Sequence, residues 1–129
     1  MLPQIDMDHL QQRAPGHAVS SDGGMICVLI PNFPLGPGFD RPQSDLLLRL
    51  SPGYPDVPPD MWWFDPPVRR TDRAEIPATQ TREHHIRREW QRWSRHLRPG
   101  QWHSGVDSLE TYLAVVRREL RAAAPMAVA

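Results

Sequence analysis

The first half of the chain places short apolar runs between breaks that are rich in proline and glycine. Residues 4–13 predict a short helix with Ile5 and Leu10 on its apolar face. The following runs predict four short strands, at residues 17–20, 25–30, 45–50 and 61–64. Asp22-Gly23-Gly24 predicts a hairpin turn between the first two, and residues 31–42 a proline-rich loop. This half is therefore expected to form an antiparallel meander, followed by an irregular polar stretch over residues 68–80.

The second half repeats its large apolar residues at helical steps of four, three and four: Ile86, Trp90, Trp93 and Leu97. This spacing predicts a helix over residues 81–97. A last helix is predicted over 107–121, with Asp107 and Glu110 as a capping box. Helices on one face of the meander give an α+β fold in a single domain, residues 1–124, with a disordered tail over 125–129. The side chains expected in its core include Tyr54, Pro55, Trp62, Trp90, Trp93, Trp102, Leu109 and Leu113.

Composition and charge exclude several classes of function. The chain has 129 residues, which fits one domain, and a formal net charge of zero, which gives no general affinity for nucleic acid. No apolar run approaches the ~20 residues that cross a bilayer, and no N-terminal signal is visible, so a cytoplasmic protein is expected. All 15 basic residues are arginines. The lysine-free chain therefore offers no side-chain amine for Schiff-base chemistry or for isopeptide formation, and no cofactor is predicted.

Several side chains are candidates for chemistry. The single cysteine, Cys27, lies in an apolar strand and is expected to be buried rather than reactive. Four histidines lie near two glutamates, at His84, His85, His96, His103, Glu83 and Glu89, but their spacing is poor for a metal site. A serine–histidine hydrolase would take its residues from Ser94, Ser104, His96 and His103. No GxSxG elbow supports that alternative.

Arginines interleave with tryptophans over residues 87–98. Such a stripe is compatible with stacking on single-stranded nucleic acid. The alternative is an amphipathic helix whose Trp90 and Trp93 lie in the core. The neutral charge of the whole chain favours this second interpretation.

One segment points to a known family. Residues 48–61, LRLSPGYPDVPPDM, resemble the strand–YP–PP–strand signature of the ubiquitin-conjugating (UBC-like) fold. Residues 90–96, WQRWSRH, and Trp102 with residues 105–109, GVDSL, are similar to prokaryotic UBC-like proteins encoded beside ubiquitin-like proteins, activating enzymes and JAB-type peptidases. The resemblance covers roughly residues 15–121. It implies a helix, a four-stranded meander, a long active-site stretch and further helices.

The resemblance also implies where a nucleophile would lie. Counting back from Trp102 places the family's cysteine at Ser94 and the histidine of its His-Pro-Asn element at His84. The proline and asparagine are missing, and serine replaces cysteine, so conventional thioester chemistry is expected to be lost. His96 is the candidate base that would activate Ser94. Ser94, His84 and His96 are therefore the candidate catalytic residues.

The function implied by the resemblance is that of a UBC-like component of a bacterial ubiquitin-like conjugation system. It would bind a ubiquitin-like protein or an activating enzyme of the ubiquitin-activating type, through the outer face of the sheet or the loop 31–42. Two alternatives stay open. One is an acyl carrier that uses Ser94, or Cys27 in an unusual geometry. The other is a nucleic-acid-binding module that uses the stripe 87–98.

Overall fold

The computed structural model describes residues 2–126 of the chain, which form two helices and one antiparallel sheet. The elements in chain order are α1 (Gln4–Arg13), β1 (Ala18–Asp22), β2 (Met25–Pro34), β3 (Gln43–Leu50), β4 (Trp62–Asp65), β5 (Arg82–His85), β6 (Arg88–Trp93) and α2 (Leu109–Ala123). The strand order across the sheet is β1-β2-β3-β4-β6-β5. The α+β class is confirmed. The strands β1 to β4 are neighbours in chain order, but the prediction of a four-stranded sheet is wrong, because the sheet has six strands. Neither helix in the described part is long and apolar enough to cross a bilayer.

The predicted helix over residues 81–97 is wrong, because this segment is the β5–β6 hairpin. Its turn is formed by Ile86 and Arg87, which both have positive φ angles of 42° and 65°. Trp90 and Trp93 are an odd number of residues apart on one strand, so they point to opposite faces of the sheet. Both faces of the sheet are covered with apolar side chains at β6. The two tryptophans are therefore three residues apart in the sequence, which is also a spacing found on one face of a helix.

The main core lies between one face of the sheet and the two helices, as predicted. Leu10 of α1 and Leu113 of α2 pack there against strand residues. Of the eight side chains expected in the core, Tyr54, Trp62, Trp90, Trp93, Leu109 and Leu113 are buried, and Pro55 and Trp102 are half-buried. The predicted loop 31–42 is shorter than expected, since β2 runs to Pro34.

A smaller apolar cluster covers the other face of the sheet. It consists of Cys27, Leu47, Trp63 and Trp90, all at most 4% exposed. The Arg88 guanidinium lies 4.4 Å from the centroid of the Trp90 ring and bonds to carboxylates of Asp45 and Asp65, at 2.9 and 2.8 Å. The sheet is curled so that its two edge strands approach each other. His85 Nδ1 on β5 lies 3.9 Å from Asp22 Oδ2 on β1.

A buried carboxylate joins α1 to the start of α2. Asp6 is 1% exposed and accepts hydrogen bonds from the Tyr54 hydroxyl, at 2.7 Å, and from the backbone N–H of Leu109, at 2.9 Å. The Leu109 N–H belongs to the first turn of α2, where a helix has no internal acceptor for its donors. Burial, and then the bond to Asp6, raise the pKa of Tyr54.

The capping box predicted from Asp107 and Glu110 is wrong by one position. The cap of α2 is Ser108, whose backbone N–H donates to Thr111 Oγ1 at 2.9 Å. Asp107 instead accepts the backbone N–H of His103, at 2.8 Å, and so closes the turn that precedes the helix. The predicted tail begins at Pro125, and residues 127–129 of it lie outside the described residues.

Candidate functional site

The candidate site lies where the chain leaves β6. The backbone N–H of Ser94 donates to Ala78 O, and Arg95 O accepts from the Met61 N–H, both at 3.0 Å. These bonds fix the chain between the irregular stretch before β5 and the residue that precedes β4. Backbone bonds to these two neighbouring segments therefore position residues 94–96, which do not lie in a helix as the spacing predicts.

Ser94 is half-buried beside an ion pair. Its Oγ accepts a hydrogen bond from Arg92 Nε at 3.0 Å. The same guanidinium donates from its Nη1 to Glu83 Oε2 at 2.8 Å, so its charge is already balanced. No hydrogen bond joins Ser94 to a histidine within residues 2–126. The hydroxyl thus has a donor next to it, but it lacks the adjacent base that serine nucleophiles ordinarily use.

His96 forms a pair with Asp60 on the surface. Its Nδ1 lies 2.6 Å from Asp60 Oδ1, and both side chains are more than half exposed. A carboxylate that holds Nδ1 fixes the orientation of the ring and leaves Nε2 free to exchange protons with a bound partner. The sequence had not marked Asp60, because a pairing over 36 residues leaves no local pattern.

His96 also borders a small cavity of about 150 Å³ between its own segment and α2. Trp62 and Tyr112 contribute aromatic surface, and Arg98 and Arg118 contribute positive charge. The Tyr112 hydroxyl donates to Met61 O at 2.8 Å. Burial first, and then the charge of Asp60, raise the pKa of Tyr112, so this phenol stays protonated.

His84 lies apart from the other two candidates. It is exposed on β5 and borders a different cavity, of about 570 Å³, together with Arg49 and Trp63. Ser94 lines neither this cavity nor the one beside His96. Asp60 connects the two regions, because it borders the His84 cavity and holds His96. The structure therefore does not bring Ser94, His84 and His96 into one hydrogen-bonded triad.

Glu83 forms a half-buried network that the sequence does not indicate. Its Oε1 accepts from Trp63 Nε1 at 2.9 Å and lies 3.0 Å from His85 Nε2, while its Oε2 accepts from Arg92. Burial raises the pKa of Glu83, but the bonds to His85, Trp63 and Arg92 outweigh it and leave the pKa lowered. On a helix Glu83 and His85 would diverge, whereas on a strand residues two apart share a face. The network fixes β6 at Arg92, two residues before Ser94.

The other chemistry considered from the sequence has less support. Within residues 2–126, no group of three or more histidine, cysteine, aspartate or glutamate side chains is placed to hold a metal ion. Ser104 Oγ donates to Asp56 Oδ1 at 2.6 Å and is not bonded to a histidine. Trp90 and Trp93 are fully buried, so the stripe 87–98 presents no tryptophan ring on which a base would stack. The nucleic-acid hypothesis required these two tryptophans to be exposed, and in this respect it is wrong.

Comparison with known proteins gives a match over nearly the whole chain. The family model described as Prokaryotic E2 family E matches residues 2–123. No curated protein and no solved structure matches this chain. The matched range runs from before α1 to the last residue of α2, and it contains Ser94, His84 and His96.

Proposed function

Because the chain belongs to prokaryotic E2 family E, a family of conjugating-enzyme-like proteins, we propose that it is a UBC-like component of a bacterial ubiquitin-like conjugation system. It acts there as an adaptor that binds a ubiquitin-like protein or an activating enzyme, without forming a thioester itself. The order of a helix, a four-stranded meander, a long segment and a helix supports a UBC-like fold. The β5–β6 hairpin occupies part of the stretch that would hold the active site.

One observation carries the non-catalytic part of the proposal. The chain has one cysteine, and Cys27 is 1% exposed in the cluster with Leu47, Trp63 and Trp90. A thioester forms only when a thiolate reaches the carbonyl carbon of the incoming acyl group. The Cys27 sulfur is covered by side chains, so an acyl group does not reach it in the folded chain.

A second candidate function is an ester-forming carrier, which the Asp60–His96 pair favours. The Ser94 hydroxyl would attack the thioester carbonyl of a modifier loaded on its activating enzyme. The C–S bond breaks, a C–O ester bond forms, the thiolate leaves, and the Ser94 proton passes to His96. Against this alternative, Ser94 Oγ bonds to Arg92 and not to His96. An oxyester also transfers poorly to amines, because the alkoxide is a poor leaving group.

A charging assay separates these functions. The purified chain is mixed with ATP, the activating enzyme and the ubiquitin-like protein from the same organism, and its intact mass is measured. The Cys27→Ala and Ser94→Ala variants are treated in parallel. Binding of each partner to the uncharged chain is measured by calorimetry.

The adaptor function predicts binding without a mass increase in any variant. An adduct that disappears only in Ser94→Ala replaces the adaptor by the ester-forming carrier. An adduct that disappears only in Cys27→Ala shows that an acyl group reaches Cys27 and contradicts the adaptor function. Reaction with a thiol reagent tests the burial of Cys27 directly. Cys27 should react with Ellman's reagent only after unfolding in urea. If neither partner binds and no adduct forms, the proposed function is wrong.

A further inference from the structure

A groove away from the candidate site lies between the end of α1, the turn at residues 14–16, the second half of β2 and α2. Its volume is about 520 Å³. None of the residues that line it also lines the cavity beside His96. Its floor is made by core residues that are each at most 5% exposed: Leu10, Ile30, Phe33 and Leu113. The groove is therefore a surface feature built on the main core.

Prolines form the open apolar surface of this groove. Pro15 and Pro34 are exposed and Pro31 is half-buried on its walls. The strand β2 has an irregularity between Ile30 and Phe33, where Asn32 adopts a φ of 56° and its N–H donates to Asp45 Oδ1 at 2.9 Å. Because proline rings fix the backbone angle φ, the walls of the groove lose little conformational entropy when a ligand binds. A preformed groove binds more tightly than one that must be ordered first.

Among residues 2–126, the charged residues that line the groove are all basic. Arg13 and Arg117 stand on its rim, together with His9, and no carboxylate of these residues lines it. Neither arginine forms an ion pair in the part of the chain that the structure describes. The Arg117 guanidinium lies over the Phe33 ring, 5.4 Å from its centroid. In contrast, the cavity beside His96 contains Glu119, which pairs with Arg95 at 3.1 Å.

We propose that this groove docks an acidic peptide segment of a partner protein, with an apolar side chain of the segment lying on the proline walls. Carboxylates would pair with the Arg13 and Arg117 guanidinium groups, which bind carboxylates in a bidentate geometry. The apolar walls favour a peptide over a bare anion. This inference goes beyond the proposed function, because it requires neither charging at Ser94 nor a ubiquitin-like partner.

The test is a titration of the ¹⁵N-labelled full chain with a synthetic peptide, acetyl-EDLEFDLE-amide, followed by amide NMR spectra. Shifts are expected in the last turn of α1, at the non-proline residues of 14–16 and 30–34, and in α2 around residues 113–117. Two control peptides replace either the leucines and phenylalanine by serine or the acidic residues by lysine. Both should bind at least about tenfold more weakly, a loss of about 1.4 kcal/mol.

Charge-reversed variants locate the contact. Arg13→Glu should weaken binding by about tenfold or more, because repulsion replaces an ion pair. Arg13 is exposed and its side chain bonds to no other residue in the described part, so this variant should fold. The matched control, Arg98→Glu, changes the other cavity and should alter binding less than about twofold.

The proposal is overturned if the peptide causes no shifts at the groove, if either control peptide binds equally well, or if Arg98→Glu weakens binding as much as Arg13→Glu. These results leave the charging assay unaffected. Conversely, a failed charging and partner-binding experiment does not change the peptide titration. The failure of one proposal is therefore distinguishable from the failure of the other.

Discussion

Replacing Asp6 by alanine removes the side chain that ties α1 to the start of α2. Two donors, the Tyr54 hydroxyl and the Leu109 N–H, then lose their acceptor inside the protein. Each buried unsatisfied group costs about 1–3 kcal/mol. Loss of a negative charge at a helix N-terminus adds about 0.5 kcal/mol. Relief of the carboxylate's desolvation offsets part of this cost, so we expect Asp6→Ala to lower the free energy of unfolding by about 3 kcal/mol.

Two further variants test the reasoning behind this magnitude. Asp6→Asn keeps an oxygen that accepts from Leu109 N–H, but its amide nitrogen does not accept the Tyr54 hydroxyl proton. With one donor unsatisfied instead of two, it should cost about 1–2 kcal/mol, less than Asp6→Ala. Asp8→Ala is the matched control on the same helix. Asp8 is exposed and, among the described residues, its side chain accepts only from the Gln4 side chain, so its removal should change stability by less than about 0.5 kcal/mol.

Urea unfolding followed by tryptophan fluorescence measures these differences, since the chain has five tryptophans. A loss of about 3 kcal/mol is a large share of the 5–15 kcal/mol of a typical domain, so it shifts the unfolding midpoint clearly. The reasoning is refuted if Asp6→Ala costs less than about 1 kcal/mol, or if Asp6→Asn costs as much as Asp6→Ala.

Two other predictions follow from burial. Leu113→Ala should lower the free energy of unfolding by about 2–5 kcal/mol, because Leu113 is 3% exposed, whereas Val106→Ala, at 77% exposed, should have almost no effect in the same urea experiment. The raised pKa values of Tyr54 and Tyr112 mean that the folded chain keeps two protons that the unfolded chain releases near pH 10. Stability should therefore be unaffected below about pH 10 and fall above it, by up to about 1.4 kcal/mol per pH unit for each tyrosine. Tyrosinate absorbance in the native protein at pH 10 would contradict this.

The strands β1 to β4 and the helix α2 were predictable because each has a clear local signal. The Gly23-Gly24 turn and the apolar run of β2 indicate the first hairpin, and prolines separate the later strands. In α2, the apolar residues from Leu109 to Leu120 lie on one helical face, and only the cap was placed one residue too early. These elements follow from short-range patterns.

The β5–β6 hairpin was not predictable in this way. Its turn uses Ile86 and Arg87 at positive φ, where glycine or asparagine is usual, so no turn signal is present in the sequence. Trp90 and Trp93 are buried on opposite faces of β6, which removes the alternation that identifies most antiparallel strands, and the edge strand β5 contains no apolar residue. The hydrogen-bond partners in the candidate site were also not predictable from the sequence. Asp60 and Glu83 reach His96 and Trp63 over 36 and 20 residues.

The bond from Leu109 to Asp6 has a consequence for how the chain is made. It joins residues 103 positions apart, so Asp6 leaves the ribosome long before its partner exists. At about 5–20 residues per second, this interval lasts about 5–20 s. Throughout it, the apolar side of α1 has no α2 to pack against, and the sheet has only part of its cover. The nascent chain therefore completes this fold only after α2 has been made and closes over α1, and until then α1 is open to chaperones and proteases.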